Sequence, residues 1–359
     1  MSQQLKQLAR KVARVVVPPP APLPRVPRNE PPVLGHRPGI DRIDYGLNFE
    51  QSMEWSPRFT ATVGDRRHHI FFLCGHPRSG THWMDNVLNR HPRVLIDGEY
   101  RFESLRRAYD DITGKFWHAA FKEPMRSEAE RCFEDAVCRI VGSSSQRKPG
   151  ATWLGDRTPR SLNVFLKGAP HFLIIRDPRD VLVSWTHQEL KNAGHHYTTG
   201  NFEPELGKYR EEFLNDPTFF KKNPEALLSN ERWVKTLAGR WRNHLRLDLA
   251  MLMKIDAGEL NNGVPARVHV VRYEMIHSDP EGERRRMYAF LGLNESEAEP
   301  LTEESRSKPG LKAEDPHHIY RKGQVGDWEK HFTPDVRLWF KEQANDTLCE
   351  LGYAQDGNW

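Results

Sequence analysis

The stretch His69-Ile70-Phe71-Phe72-Leu73-Cys74-Gly75-His76-Pro77-Arg78-Ser79-Gly80-Thr81 decides the fold. Its first six residues are an apolar run that stops at glycine, the pattern of a short buried strand. From Thr81 to Arg90 the spacing predicts a helix, closed by His91-Pro92. Between them, Gly75 to Thr81 has the glycine spacing and closing Thr of a nucleotide phosphate loop, G-x-x-x-x-G-K-[ST], but Gly80 runs directly into Thr81 and the lysine is missing. A strand, a glycine turn and a helix N-terminus still present backbone N–H groups and a helix dipole to an anion. Arg78, inside the loop, supplies positive charge. An ordinary strand-to-helix turn has the same outline.

The alternation continues along the chain. Val94-Leu95-Ile96 is a second short strand, Glu128 to Val141 a helix, His171 to Ile175 a strand and Val181 to Leu190 a helix. Glu231 to Lys254 reads as a long amphipathic helix, Arg267 to Val271 as a strand, and Glu281 to Leu291 as a helix that Gly292 ends. Short apolar strands alternating with helices predict an α/β fold: a central parallel sheet flanked by helices on both faces. In such sheets ligands bind at the carboxyl ends of the strands. Residues 192 to 230 are polar and rich in Gly, Asn and Pro, the composition of a long insertion or lid.

Two further segments carry cations beside turn residues. In Ile175-Arg176-Asp177-Pro178-Arg179-Asp180-Val181-Leu182-Val183-Ser184, a buried strand ends in Arg176 rather than in the Asp that a magnesium-dependent NTPase offers its metal. Ser184 follows about two helical turns later, so the two converge on one anion if the loop folds back. On pattern alone Asp180 is equally a helix cap and Arg176 a surface ion-pair partner. In Tyr320-Arg321-Lys322-Gly323-Gln324-Val325-Gly326-Asp327-Trp328, two adjacent cations precede a glycine that lets backbone approach a phosphate closely.

These three segments together resemble the sulfotransferases that use 3'-phosphoadenosine 5'-phosphosulfate (PAPS), from about residue 69 to 353 and in the family's order. Pro77-Arg78-Ser79-Gly80-Thr81-His82-Trp83 is similar to the family's 5'-phosphosulfate loop. Arg176 and Ser184 match its 3'-phosphate pair, and Arg321-Lys322-Gly323 with Gly326-Asp327-Trp328 its closing loop. Tyr273-Glu274, Asp279-Pro280 and Phe290-Leu291-Gly292 also resemble it. The resemblance implies a P-loop NTPase-like sulfotransferase fold over residues 69–355, PAPS as donor co-substrate, no required metal, and donor contacts from Arg78, Ser79, Gly80, Thr81, His82, Trp83, Arg176, Ser184, Arg321, Lys322 and Gly323. Cytosolic members commonly have Lys in the first loop and a Lys-Thr-His segment with the catalytic His. Here the loop has Arg78, and the counterpart Gly155-Asp156-Arg157-Thr158-Pro159 has no His. The run through His91-Pro92 to Gly98-Glu99 instead resembles the tyrosylprotein, heparan sulfate and bacterial branches. That implies Glu99 as general base and Arg157 as sulfate contact, with Glu103 the alternative base. A surface ion pair of Glu99 with Arg101 or Arg106 is the competing reading, and Trp233 or Trp241 are candidates to approach the adenine.

Charge and composition bound the remaining classes. The net charge of +4 suits an anionic small ligand, and cations spread over the motifs and balanced by 49 acids argue against nucleic acid. A phosphotransferase with a phosphate loop would need the Lys-Thr pair and a carboxylate for magnesium. A non-catalytic nucleotide- or polyanion-binding module would tolerate loss of Glu99. The acceptor is a small molecule or a glycan, through a hydroxyl or an amine; no motif distinguishes them. Residues 1–68 read as a basic and then proline-rich extension, with Lys6, Arg10, Lys11 and Arg14 near helical apolar spacing. Such a segment is either disordered or touches an anionic membrane surface. Four cysteines without metal or disulfide spacing, no apolar run of bilayer length and no visible secretory signal make a cytoplasmic protein the expectation.

Overall fold

A computed structural model describes residues 60–114, 119–162, 169–192, 206–257, 267–301 and 323–359. Strand β1 (Thr60–Val63) pairs antiparallel with β2 (Arg66–Gly75), so the sheet starts ahead of His69. Helix α1 (Thr81–Leu88), β3 (Val94–Ile96), α2 (Glu103–Gly114), α3 (Ala119–Gly142), β4 (Trp153–Asp156) and β5 (Pro170–Ile175) follow. Then come α4 (Pro178–Asn192), α5 (Arg210–Asn215), α6 (Phe219–Lys222), α7 (Glu231–Asp256), β6 (Arg267–Arg272), α8 (Tyr273–Ser278), α9 (Pro280–Phe290) and α10 (Pro334–Glu350).

The sheet order is β3-β4-β2-β5-β6, with these five strands parallel. The period of two along β2 builds both faces of the core. Ile70, Phe72 and Cys74 point to one side, where α3, α4, α7 and α10 contribute Phe133, Val183, Trp241 and Phe340. Phe71 and Leu73 point to the other, against Met84 and Leu88 of α1 and Met287 and Tyr288 of α9. The predicted parallel sheet covered on both faces is the observed architecture. All five parallel strands open their carboxyl ends on one edge, and there the chain passes through Gly75, Ile96, Asp156, Ile175 and Arg272.

Several expectations change. β3 does not lie beside β2, because β4 is inserted between them. Those four residues escape a periodicity reading because they include Gly155 and the fully buried Asp156. The described part of the polar insertion, 206–230, packs onto the core through Phe213, Phe220, Leu227 and Leu228, so it is not a detached lid. Trp233 and Trp241 are core residues of α7, and the Trp233 indole donates to Thr186 Oγ1 (2.9 Å). The extension before Thr60 lies outside the described residues. Among the described residues, no helix is long and apolar enough to cross a membrane. None of the four cysteines forms a disulfide.

Candidate active site

The loop after β2 is tightly formed. Ser79 N donates to His76 O (3.0 Å), and Arg78 sits in the left-handed region at φ 73°. A non-glycine residue there is uncommon, and such backbone clusters where geometry matters more than comfort. Gly80, at φ 103°, caps α1, and any Cβ on it would lie 2.3 Å from the Tyr273 ring. That close approach brings the β6 edge against the loop. Tyr273 carries the Arg176 guanidinium over its ring at 4.1 Å.

Arg176 is the node. It is buried rather than a surface ion-pair partner, with Nη1 donating to Arg78 O (3.1 Å) and Nη2 to Gln324 O (3.0 Å). Arg78 Nε donates to Ser184 Oγ (3.1 Å), so Arg176 and Ser184 are brought together through Arg78. Gly323 stands at φ 60° at the edge of the same group, while Arg321 and Lys322 lie outside the described residues. Asp180 is not a helix cap. Its carboxylate leaves the helix and accepts from Gly326 N (2.8 Å) and Trp328 N (3.0 Å), fixing the loop that follows Gly323. Burial pushes Asp180 up to about 6, against the opposing pull of Arg176. Two buried polar atoms here, Ser79 Oγ and Arg176 Nε, have no hydrogen-bond partner among the described residues. Unpaired buried donors in a native fold call for a ligand or water.

Trp83 extends from the first turn of α1, half-buried, its ring 5.6 Å from Tyr273 and 4.4 Å from His277. Burial, with Arg176 nearby, lowers His277 to about 4, so this imidazole is neutral at neutral pH. The group leaves one aromatic side chain partly open next to the anion site, a place for a flat base.

The second half of the site lies toward β4 and β3. Arg157 follows β4; its amide donates to Gly98 O (3.1 Å) and its Nε lies 3.2 Å from Asp85 Oδ2 on α1. Asp156 accepts from Tyr100 N (3.1 Å), Thr158 N (3.1 Å), Thr158 Oγ1 (2.8 Å) and Arg160 Nη2 (2.5 Å), which fixes the backbone on both sides of it. Burial nevertheless raises its pKa above the usual carboxylate value. Glu99 pairs with Arg101 Nη2 (2.9 Å) and lies 3.8 Å from His82 Nε2, so it reaches the first turn of α1 from the edge strand. Glu103 lies 3.7 Å from Arg160 Nη1, farther along. The ion pair with Arg101 and the proximity to the donor-loop helix therefore coexist at Glu99.

Sequence reasoning missed some of the parts that hold the site. Asp177 N donates to Glu274 Oε1 (2.9 Å), and Glu274 Oε2 accepts from Tyr353 Oη (3.0 Å). The Tyr273-Glu274 pair was visible as a motif, but its partner 79 residues on was not. Asp248 of α7, fully buried, accepts from Ser161 Oγ and Leu162 N (both 2.7 Å) and holds the segment that carries Arg157. The available signal was a carboxylate on the same helical stripe as Trp241, Leu245 and Leu252.

Comparison with known proteins identifies the family. A family model described as "Sulfotransferase domain" matches residues 164–351, and one described as "Sulfotransferase family" matches residues 71–223. Sulfotransferase 1C2 of Homo sapiens is 22% identical over 279 residues, 73% of this chain and 77% of that protein. Sulfotransferase 2A1 of Mus musculus is 28% identical over 193 residues, 48% of this chain and 54% of that protein. The crystal structure of mouse sulfotransferase SULT7A1 complexed with PAP matches with 19% identity and a TM-score of 0.42, over 79% of this chain and 89% of that one.

Proposed function

The chain belongs to the sulfotransferase family, and on that premise we propose that it moves a sulfuryl group from PAPS to a hydroxyl or amine of a small-molecule or glycan acceptor. The observation that carries the donor reading is the buried Arg176, inside a knot of Arg78, Ser184 and the backbone of Gln324, whose Nε, like Ser79 Oγ, has no hydrogen-bond partner among the described residues. PAPS has two separated anionic groups. The turn from Arg78 to Thr81 takes the 5'-phosphosulfate with backbone N–H groups and the Arg78 charge. Arg176 and Ser184, joined by Arg321, Lys322 and Gly323, take the 3'-phosphate. Trp83 offers its open face to the adenine.

In the reaction the acceptor atom attacks sulfur in line. A new bond to sulfur forms as the bond from sulfur to the phosphate oxygen breaks, and 3'-phosphoadenosine 5'-phosphate (PAP) leaves. The acceptor proton passes to Glu99. Arg78 neutralises the charge that grows on the leaving phosphate, and Arg157 steadies the sulfuryl oxygens. Fixed guanidinium groups do this work without a metal among the contacts of the scheme.

Calorimetry with PAP and with AMP, which lacks the 3'-phosphate, tests the donor half. PAP should bind at least about tenfold more tightly, since one charge-assisted contact is worth about 1.5–3 kcal/mol. Equal affinities would overturn the donor assignment.

A further inference from the structure

The segment after α10 turns back along the sheet edge and ends its course at Trp359 against the two elements that enclose Arg176. Leu351 O accepts from Arg272 Nη2 (2.6 Å), and the Tyr353 hydroxyl reaches Glu274. Tyr353 O accepts from Arg179 Nη2 (2.9 Å). Arg179 is buried in the first turn of α4, held by the Asp177 carboxylate through Nε (2.9 Å) and Nη2 (2.6 Å). Its guanidinium lies 3.9 Å from the Trp328 ring centre and 4.7 Å from that of Trp359. The two indoles meet edge to face at 5.7 Å. Trp359 is aimed by its own ring N–H, which donates to Asn345 Oδ1 (3.0 Å) on α10, and it packs on Phe340 and Phe332.

Trp328 is part of the loop whose amides Asp180 holds and whose Gln324 carbonyl Arg176 holds. Three supports therefore fix that loop: a carboxylate from α4, a guanidinium at the β5 end, and an aromatic face from a residue far along the chain. The first two belong to the anion site itself. Among the described residues, the third touches none of those assigned to the donor.

We propose that Trp359 is a positioning residue for the donor: with Arg179 and Trp328 it forms a cation–aromatic stack that presses the Gly323–Trp328 loop onto Arg176 and so sets the affinity for the 3'-phosphate. The inference rests on the donor reading above. A guanidinium between aromatic faces loses little by being dry and gains from both quadrupoles. The loop needs such support because Gly323 and Gly326 both have left-handed φ (60° and 80°) and leave its backbone with few restraints of its own.

The test compares Trp359→Ala, Trp359→Leu and Trp359→Phe in the full chain, by calorimetry with PAP and AMP and by steady-state kinetics. Leu keeps apolar contact without a π face, and Trp359 is only partly buried, so this variant guards against a folding failure. Ala and Leu should lose about five- to twentyfold in PAP affinity and raise the donor KM by the same factor. AMP affinity and kcat at saturating donor should hold within about twofold, and Phe should recover most of the loss. Equal wild-type affinities for PAP and AMP would sink the donor reading and this inference with it. Wild-type discrimination carried intact into the Ala and Leu variants would sink this inference alone. A parallel loss of AMP affinity would mark general loosening and would also overturn it.

Discussion

The two halves of the site are built differently. On the β2, β5 and β6 side, most charged groups are tied to backbone: Arg176 to the carbonyls of Arg78 and Gln324, Asp180 to two amides and Glu274 to the Asp177 amide, while Arg78 Nε reaches the Ser184 hydroxyl. On the β3 and β4 side, Glu99, Arg101, Glu103 and Arg157 pair mainly with other side chains, at 2.9 to 3.8 Å, and Arg101 is 65% exposed. A pocket of backbone-anchored charges is suited to one invariant ligand, because its geometry is set before binding and no reorganisation is needed. Side-chain pairs near solvent rearrange at little cost, since exposed ion pairs contribute only about 0–1 kcal/mol. In the proposed scheme the donor half is thus a fixed fitting, and the acceptor half is the one whose side-chain pairs exchange partners as the substrate enters.

The sharpest way to break this contrast is at Glu99. If it takes the acceptor proton, Glu99→Gln should lower kcat by about 10²–10⁴-fold while PAP affinity stays unchanged, because the base belongs to the exchangeable half. Turnover kept by Glu99→Gln but lost in Glu103→Gln or His82→Ala would move the base, and leave the donor half untouched.

Arg78 should give the next largest effect, since it is where the halves join. Its Nε is bonded to Ser184, its carbonyl to Arg176, and its charge faces the leaving phosphate in the proposed scheme. Arg78→Ala should reduce kcat by about a hundredfold, more than it weakens PAP. The left-handed φ offers a control: Arg78→Gly removes the side chain while relieving the backbone. Both variants should lose equally; recovery in Arg78→Gly would show that conformation, and not charge, is what Arg78 supplies.

The same contrast explains what could be read from the sequence. The donor half was legible because each of its loops starts where an apolar strand ends and contains glycine, proline or adjacent cations, which are local signals. Thr81, Arg176, Ser184 and Gly323 could be named on that basis. The acceptor half depends on β4, four residues long and recognisable only once Phe71 and Ile96 are seen packing on Gly155 from both sides. The support at Asp180 joins residues 146 and 148 positions apart, and no spacing rule encodes that. A helix-cap reading of Asp180 used correct local chemistry, but the tertiary partners took the carboxylate instead.

The smallest effect expected is on stability, and it asks how the acceptor half is held from below. Asp248 anchors Ser161 and Leu162, and its Oδ2 lies 3.4 Å from His244 Nε2; the His244 ring in turn meets His76 of the donor loop edge to face at 5.1 Å. Burial pushes Asp248 up to about 7 and His244 down to about 4, and also lowers His76 to about 3, with His244 and Arg240 contributing. Between about pH 4 and 6.5 folding therefore makes Asp248 bind a proton and His244 release one, so the two slopes cancel and the pair leaves stability flat. Asp248→Asn keeps an oxygen for Ser161 and Leu162 but removes one of the two titrations. His244 then stands alone with its folded pKa depressed. Its contribution is present above the unfolded value near 6.5 and is lost as pH falls toward 4. Relative to the wild type, the variant should melt about 5 °C lower at pH 4 than its difference at pH 7 would give. At pH 8, where the wild type carries a buried charge at Asp248, the variant should match or exceed it. Thermal unfolding of both proteins across pH 4 to 8 reads this directly. A melting difference that stays constant over that range would mean that the Asp248–His244 pair does not exchange a proton on folding, and that α7 holds the Ser161–Leu162 segment through hydrogen bonds whose strength does not depend on pH.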